Sequence, residues 1–297
     1  MAKTSAIVFD VENPLISVVM PIYNAGKYLR PAVLSIVNQT FTNWEMFIID
    51  DGSTDDTLSY ISDIQDSRIT IIKDGVNKGL VARLNQAIGL AKGFYFARMD
   101  QDDISYPERF TKQLSALEND PSLDLVSVRA IKISMQDKPV GYLPFAITHD
   151  EITAAPWRGF YMVHPTWMGR IEWFRKYHYA DPAPYLCEDQ ELLLRSYSSS
   201  KFLCLDEILF AYRVRDHILL NKLAKVRISV YKMQLNYFLA NGKLINTIMV
   251  SAALIIRFGL DFSRFLFQTK SSNFKLSKSD DEKWSKILQM ITCQVSI

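Results

Sequence analysis

Cysteine is scarce in this 297-residue chain. Cys187, Cys204 and Cys293 are the only three, and their spacings suit neither a disulfide framework nor a zinc site. They read as reduced thiols of a cytosolic protein. Glycine is sparse too, at 11 residues. No Gly-x-Gly-x-x-Gly follows the first apolar run, and there is no Gly-Lys-Ser/Thr loop, which sets aside dinucleotide dehydrogenases and P-loop enzymes. Residues 1–14 carry Asp10 and Glu12 and lack the basic start and apolar run of a secretory signal. The longest nearly uncharged apolar stretch, residues 244–256, is closed by Arg257. It falls short of the ~20 residues that span a bilayer, so no membrane crossing is expected.

Apolar residues make up 48% of the chain, enough for a sizeable core and against general disorder. The net charge of +2 hides an asymmetry. Between Arg213 and Lys275 eleven Lys or Arg face two acids, a net +9, which leaves −7 on the remainder. That pattern predicts an acidic body with a basic appendage that meets an anionic surface.

From residue 16 to about 128, short apolar runs alternate with segments of helical spacing. Strands are expected over 16–20, 45–49, 69–72 and 94–99, with helices over 28–37 and 80–91. Ser53 or Thr54 is expected to cap a further helix running to about residue 64. Pro107 sits where the first turn of another helix tolerates proline. Such alternation predicts an α/β fold with a mostly parallel sheet covered on both faces. Residues 134–183 read as irregular, with some strands and a short helix wrapped over one edge of the sheet. A helix over 188–197 and a strand over 202–205 follow. A boundary falls near 215, and residues 219–239 and 244–267 read as basic amphipathic helices.

Ligands bind beyond the carboxyl ends of parallel strands. Pro21, Tyr23 and Asn24 follow the first expected strand, Asp50-Asp51-Gly52-Ser53 the second, and Asp100-Gln101-Asp102-Asp103 the fourth. Three carboxylates within four residues repel one another and call for a cation. Mg2+ or Mn2+, which takes one or two carboxylates plus phosphate oxygens, suits them. With no glycine cradle for phosphates, the metal is left to neutralise a diphosphate.

Four segments in order, ISVVMPIYN (16–24), FIIDDGSTDDT (47–57), NKGLVARLNQAI (77–88) and ARMDQDDISYPER (97–109), resemble the nucleotide-sugar half of family 2 glycosyltransferases, of the bacterial surface-polysaccharide type. The resemblance is strong over residues 16 to about 130 and continues weakly to about 213. It implies a Rossmann-like GT-A fold, a divalent metal and inversion at the anomeric carbon. Domain 1–215 then divides into a nucleotide-sugar half (16–130) and an acceptor half (131–215), and 216–297 forms a helical, membrane-associating appendage. Residues 243–297 are expected to be removable without loss of donor binding.

Carried over by motif, Pro21 and Tyr23 line a uracil pocket, Asp51 or Asp50 bonds the uracil edge, and Arg83 lies near the nucleotide or its phosphates. Asp100 and Asp102 form the Asp-x-Asp motif, and Asp102 and Asp103 are the expected metal contacts. Glu188-Asp189-Gln190-Glu191 resembles the acceptor-side motif, which makes Asp189 the general base, with Glu188 and Glu191 orienting the site or the acceptor. Inverting transfer needs such a carboxylate to take the acceptor hydroxyl's proton. His164, beside Pro165, either shapes the acceptor pocket or is a hydrogen-bonded structural histidine. No Gln-x-x-Arg-Trp motif follows Ser198, which predicts one sugar per encounter.

The implied reaction transfers a hexose or N-acetylhexosamine from a UDP-sugar, with β linkage, to a lipid-diphosphate-linked oligosaccharide in O-antigen, capsule or exopolysaccharide assembly. The expected location is peripheral, on the inner face of the bacterial cell membrane. In residues 244–267, Lys243, Arg257 and Arg264 share one helical phase and are expected to meet anionic lipid, unless these helices pack on the body or on a second subunit. No nucleic-acid partner is expected. The rival readings are a sugar-1-phosphate nucleotidyltransferase, which should carry a Gly-rich, Arg-containing phosphate loop where Pro21–Gly26 stand, a non-catalytic membrane-associated scaffold, and glycosylation of a protein or small molecule.

Overall fold

The computed structural model describes residues 15–215, 220–267 and 274–293. Fully buried apolar runs form the centre of one sheet. In chain order the elements are β1 (Ile16–Ile22), α1 (Leu29–Val37), β2 (Trp44–Asp50), β3 (Ile69–Lys73), α2 (Leu80–Leu90), β4 (Tyr95–Arg98), β5 (Ile104–Ser105) and α3 (Arg109–Asn119). Then come β6 (Leu125–Ile133), β7 (Pro139–Tyr142), α4 (His149–Thr153), β8 (Met168–Arg170), α5 (Ile171–Lys176), α6 (Glu188–Ser196) and β9 (Phe202–Arg213). Three helices close the chain, α7 (Leu220–Ala240), α8 (Leu244–Phe267) and α9 (Lys278–Cys293).

The sheet order is β3-β2-β1-β4-β8-β6-β9-β5, with β7 paired to β6. β3, β2, β1 and β4 run parallel, as βαβ connections require. Beyond β4 the sheet is mixed, because β8 lies antiparallel to both β4 and β6. The fold is thus the expected α/β sandwich, with one difference of placement. The section read as wrapping a sheet edge supplies β8, which sits inside the sheet between β4 and β6. Three residues suffice because Gly169 lets the chain come close: a Cβ there would stand 2.5 Å from the Asp124 carbonyl.

The helix expected after the Asp51-Gly52 turn is a short 3-10 segment over Thr57–Ile61, without a side-chain cap. Ser53 Oγ accepts from Asn24 N (3.0 Å) and Thr54 N donates to Asn24 Oδ1 (2.8 Å). Both capping candidates are therefore spent on tying the β2 loop to the β1 loop, where Asn24 adopts φ 49°.

The C-terminal helices do not form a separate body. Trp284, Ile287 and Ile291 of α9 belong to the same buried cluster as β1 and α1. Trp284 stacks on Tyr106 at 6.3 Å and its indole N–H donates to Asp137 O at 3.1 Å. Phe238 of α7 and Val250 of α8 join the second cluster, with Leu192 of α6. The division at 215 is therefore one of sequence character and does not divide the core, and removing 243–297 would uncover the pocket filled by α9.

α8 also departs from expectation. Lys243 just before it donates to Tyr197 Oη at 2.5 Å, and Arg257 donates to Arg158 O at 2.7 Å. Both cations face the body and not a lipid surface; the Arg264 side chain lies outside the described residues. The opposite face exposes Ile245 (77%), Ile248 (69%) and Ile255 (74%). Over Leu244–Asp261 mean hydropathy is 1.6 with 11% of the window buried, so by length and composition this helix could cross a membrane.

Trp284→Ala should cost about 3–5 kcal/mol of stability, the usual range for deleting a buried Trp. Equilibrium urea unfolding measures it, and a loss within error of zero would show that α9 is not part of the cooperative core.

Candidate functional site

The carboxyl ends of β1, β2 and β4 open into one cleft of ≈ 820 Å3, bordered from the other side by the 160–165 segment and the start of α6. Pro21, Tyr23 and Asp51 line one end, Asp100 and Asp102 the middle, and His164, Glu188 and Asp189 the far wall. Pro21 and Asp189, 168 positions apart, thus meet around a single opening.

Asp51, the first residue after β2, carries a fixed carboxylate. Its Oδ1 accepts from Lys78 N (2.7 Å) and Arg83 Nε (2.9 Å), and Oδ2 accepts from Gly79 N (2.9 Å). Gly52 makes the turn possible at φ +76°, where a Cβ would also meet Asn77 N at 3.0 Å. Asp50 points elsewhere, bonding Ser53 N at 2.9 Å and lining a separate small pocket. Successive side chains of a strand alternate between faces, so only one of the two can serve the cleft, and it is Asp51.

Arg83 is fully buried behind Asp51. Its guanidinium donates to Asp51, twice to Asp74, to Gln86 and to Val76 O. With all five N–H groups engaged, no donor remains for the nucleotide or phosphates expected there. Its observed work is to hold Asp51 and the loop before α2.

Tyr23 is 45% exposed at the cleft mouth. Its backbone N–H donates to Gln101 Oε1 (2.6 Å) and its carbonyl accepts from Gln101 Nε2 (3.1 Å). The middle residue of the Asp-Gln-Asp motif therefore clamps the Tyr23 backbone to the carboxylate loop.

Of the three clustered carboxylates, Asp100 and Asp102 reach the cleft and Asp103 does not. Asp103 is 1% exposed, with Oδ1 accepting from Arg213 N at 2.7 Å and Oδ2 unpartnered. Burial first, then Asp100 and Asp102, raise its carboxyl well above the ordinary aspartate value. Of the expected metal pair Asp102 and Asp103, only Asp102 borders the cleft, with Asp100 beside it. Burial and the Asp100 charge push Asp102 up to about 6. Carboxylates crowded until they resist ionising fit a divalent cation, which would relieve that repulsion. Among the described residues no three His, Cys, Asp or Glu groups enclose a metal position. The donor set fits an ion completed by substrate phosphate oxygens.

The far wall holds the acceptor-side candidates. His164 Nε2 is 2.7 Å from Tyr179 Oη, and Nδ1 is 3.7 Å from Glu188 Oε1. Burial, helped by Arg98, holds this histidine well below its ordinary value, so it is neutral at pH 7. Burial raises Asp189 above the usual aspartate value, against hydrogen bonds from Gln190 and the charge of Arg98. A raised carboxyl in a cleft has the character of a general base. Gln190 spans the site, accepting from Phe160 N at 2.8 Å and donating to Asp189 Oδ2 at 3.1 Å. Glu191 turns away to Arg195 at 2.8 Å, outside the cleft lining.

Sequence reasoning missed Gln101, Gln190, Arg213 and Arg98. The last left a visible signal, a lone cation in the apolar run that becomes β4. Arg98 is 2% exposed and its Nη2 lies 2.9 Å from Asp100 Oδ1.

The fold is an α/β sheet whose strand ends open into one cleft lined by carboxylates from both sides. The model of glycosyl transferase family 2 matches residues 17–178, and the chain belongs to that family. The first relatives, bacterial glycosyltransferases 46% and 43% identical, align over 111 and 110 residues. Those stretches span 34% and 39% of the relatives' lengths and 36% of this chain. The Escherichia coli UDP-Glc:alpha-D-GlcNAc-diphosphoundecaprenol beta-1,3-glucosyltransferase WfgD is 33% identical over 107 residues, 36% of this chain and 42% of that protein. Among solved structures, S. aureus TarS 1-349 in complex with UDP superposes with a TM-score of 0.60 at 19% identity, covering 95% of this chain and 80% of that one. The mannosyltransferase PcManGT from Pyrobaculum calidifontis, in complex with GDP-Man and Mn2+, gives 0.55 at 14%, covering 96% and 84%. These likenesses establish the GT-A fold.

His164 generates a pH-dependent stability. Because its folded value is depressed, its contribution is present above the ordinary histidine value of about 6.5 and is lost as pH falls below it. Between pH 7.5 and 5, the Tm of the wild type should fall more than that of His164→Gln. Parallel Tm profiles would show that this histidine is not held neutral by the fold.

Proposed function

We propose that the protein transfers a hexose or N-acetylhexosamine from a UDP-sugar, with inversion, to a sugar hydroxyl of a lipid-diphosphate-linked glycan in bacterial surface polysaccharide assembly. The observation that carries this reading is the cleft itself, which sets Asp51, Asp100 and Asp102 on one side against Glu188 and Asp189 on the other.

Tyr23 stacks on the uracil and Pro21 packs beside it, while the fixed Asp51 carboxylate accepts from the uracil N–H. Asp100 reaches the ribose. Asp102 would hold a divalent cation, Mn2+ or Mg2+, which when bound would supply charge stabilisation for the departing UDP. Asp189 takes the proton from the acceptor hydroxyl as that oxygen attacks the anomeric carbon. The new C–O bond forms opposite the breaking bond to the diphosphate, so an α-linked donor gives a β-linked product. Glu188 and the neutral His164 shape the pocket for the attacking sugar.

The name of WfgD places a diphosphoundecaprenol-linked acceptor and UDP-Glc with that relative, and TarS binds UDP. Both support a UDP-sugar donor here, and the WfgD name supports a lipid-linked acceptor. Peripheral attachment to the inner face of the cell membrane is supported by the isoleucine face of α8, with the exposed Lys222, Lys225 and Lys232 of α7 available to anionic headgroups. An apolar helix face lying in the interface gains from every buried side chain.

Calorimetric titration of UDP tests the donor site. Binding should need Mn2+ and vanish in Asp102→Ala; equal affinity with and without metal would remove the cation from the reading. Asp189→Asn should lower kcat by roughly 10²–10⁴-fold while leaving UDP affinity unchanged, and wild-type turnover would remove Asp189 as base. The double variant Ile248→Glu/Ile255→Glu should lose flotation with anionic lipid vesicles yet still bind UDP; undiminished flotation would sink the α8 attachment.

A further inference from the structure

One charged group at the centre of the cleft has more donors than partners. Arg98 ends β4, in register with Val19 of β1. Its backbone is fixed from both sides: the N–H donates to Trp167 O at 2.9 Å and the carbonyl accepts from Arg109 Nη2 at 2.9 Å. The side chain is 3% exposed, and beyond the Nη2 contact to Asp100 its Nε and Nη1 have no partner in the structure. Native proteins seldom leave buried donors of a cation unsatisfied, because the desolvation cost is not returned. Nothing in the nucleotide chemistry above uses them.

Their surroundings indicate what they are for. Arg98 borders the cleft between Asp100 on the donor side and Glu188 and Asp189 on the acceptor side. The guanidinium lies within electrostatic reach of all three carboxylates and of Tyr179. Asp189 has Glu188 and Cys187 beside it on its own segment, Arg98 from β4 and Tyr179 from the loop after α5. His164 and Asp100 stand beyond Glu188, and α7 brings Ser229 against Cys187 at 3.5 Å.

We propose that Arg98 is a positioning residue shared by the two halves of the reaction, holding Asp100 through Nη2 and steadying the Glu188–Asp189 carboxylate pair by the charge it presents across the cleft, with Nε and Nη1 free of any competing partner. One rigid cation thereby couples the donor loop to the base. This rests on the reading of Asp189 as the base. Because an arginine presents several donors in a fixed fork, it can serve both sides at once; a lysine supplies the charge from one point only.

The charge acts against burial on Asp189, so its loss raises the pH needed to ionise the base. The experiment is the pH profile of kcat/KM for wild type, Arg98→Gln and Arg98→Lys, with UDP affinity measured alongside. Arg98→Gln should cut kcat roughly tenfold or more and move the acid limb up by about one pH unit, with UDP affinity falling by a smaller factor because Asp100 loses its partner. Arg98→Lys should return the limb to its wild-type position while kcat stays reduced. It also serves as the test if the Gln variant does not fold. A reduced rate with an unmoved limb in Arg98→Gln would overturn the proposal, as would loss of UDP affinity in step with rate. So would a limb in Arg98→Lys displaced upward from wild type. Failure of the underlying reading is seen separately: Asp189→Asn would then keep the wild-type acid limb, whatever Arg98 does.

Discussion

The rest of the molecule depends on keeping several carboxylates together at one rim against their mutual repulsion. Asp51, Asp100, Asp102 and Asp103 follow β2 and β4, the strands on either side of β1, because that is where a parallel sheet opens to ligands. Left alone, such a cluster would protonate or push the loops apart. Buried arginines prevent it. Arg83 closes on Asp51 and Asp74, Arg98 on Asp100, and Arg213 ties the backbone after Asp102 and Asp103 to Ser134 and Asp137. Each cation is desolvated, so each pairing is strong only while its geometry holds. Asp102 and Asp103 keep raised carboxyls even so.

The same arrangement links shape to chemistry. β8, inserted antiparallel beside β4, carries the chain back across the cleft, so His164 and the Gln190-bridged start of α6 face the donor loop. The neutral state of His164 follows from that burial, and leaves Arg98 and Arg215 as the cations that border the cleft among the described residues. The closing helices complete the body. α9 fills a core pocket with Trp284 and α7 supplies Phe238, while α8 turns its cations inward and its isoleucines outward. That inversion changes the kind of surface involved: apolar burial carries α8, and the exposed charge sits on α7.

Much was legible in the chain alone. Apolar runs read at 16–20, 45–49 and 94–99 became the buried strands Ile16–Ile22, Trp44–Asp50 and Tyr95–Arg98, because β-branched and aromatic residues bounded by turns leave few other ways to bury them. The Asp-Gly turn and the carboxylate triplet were visible as types. Their neighbours were not. Asp50 and Asp51 differ by one residue, and alternation says only that they face opposite sides, never which side holds the cleft. Ser53 and Thr54 resemble helix caps until Asn24, 29 and 30 positions away, takes their hydrogen bonds.

The sequence by itself determined the α/β class, the strand ends where ligands gather and the residue types of the two half-sites, because these follow from periodicity and short-range motifs. Tertiary structure alone decided that Asp51 serves the cleft and Asp50 does not, and that Arg83 braces while Asp103 lies behind. It alone made α9 part of the core and turned Arg257 inward. The reason is the same in each case. Which way a charged side chain faces is settled by partners far along the chain and by the cost of burying it unpaired, and neither is written in the residues beside it.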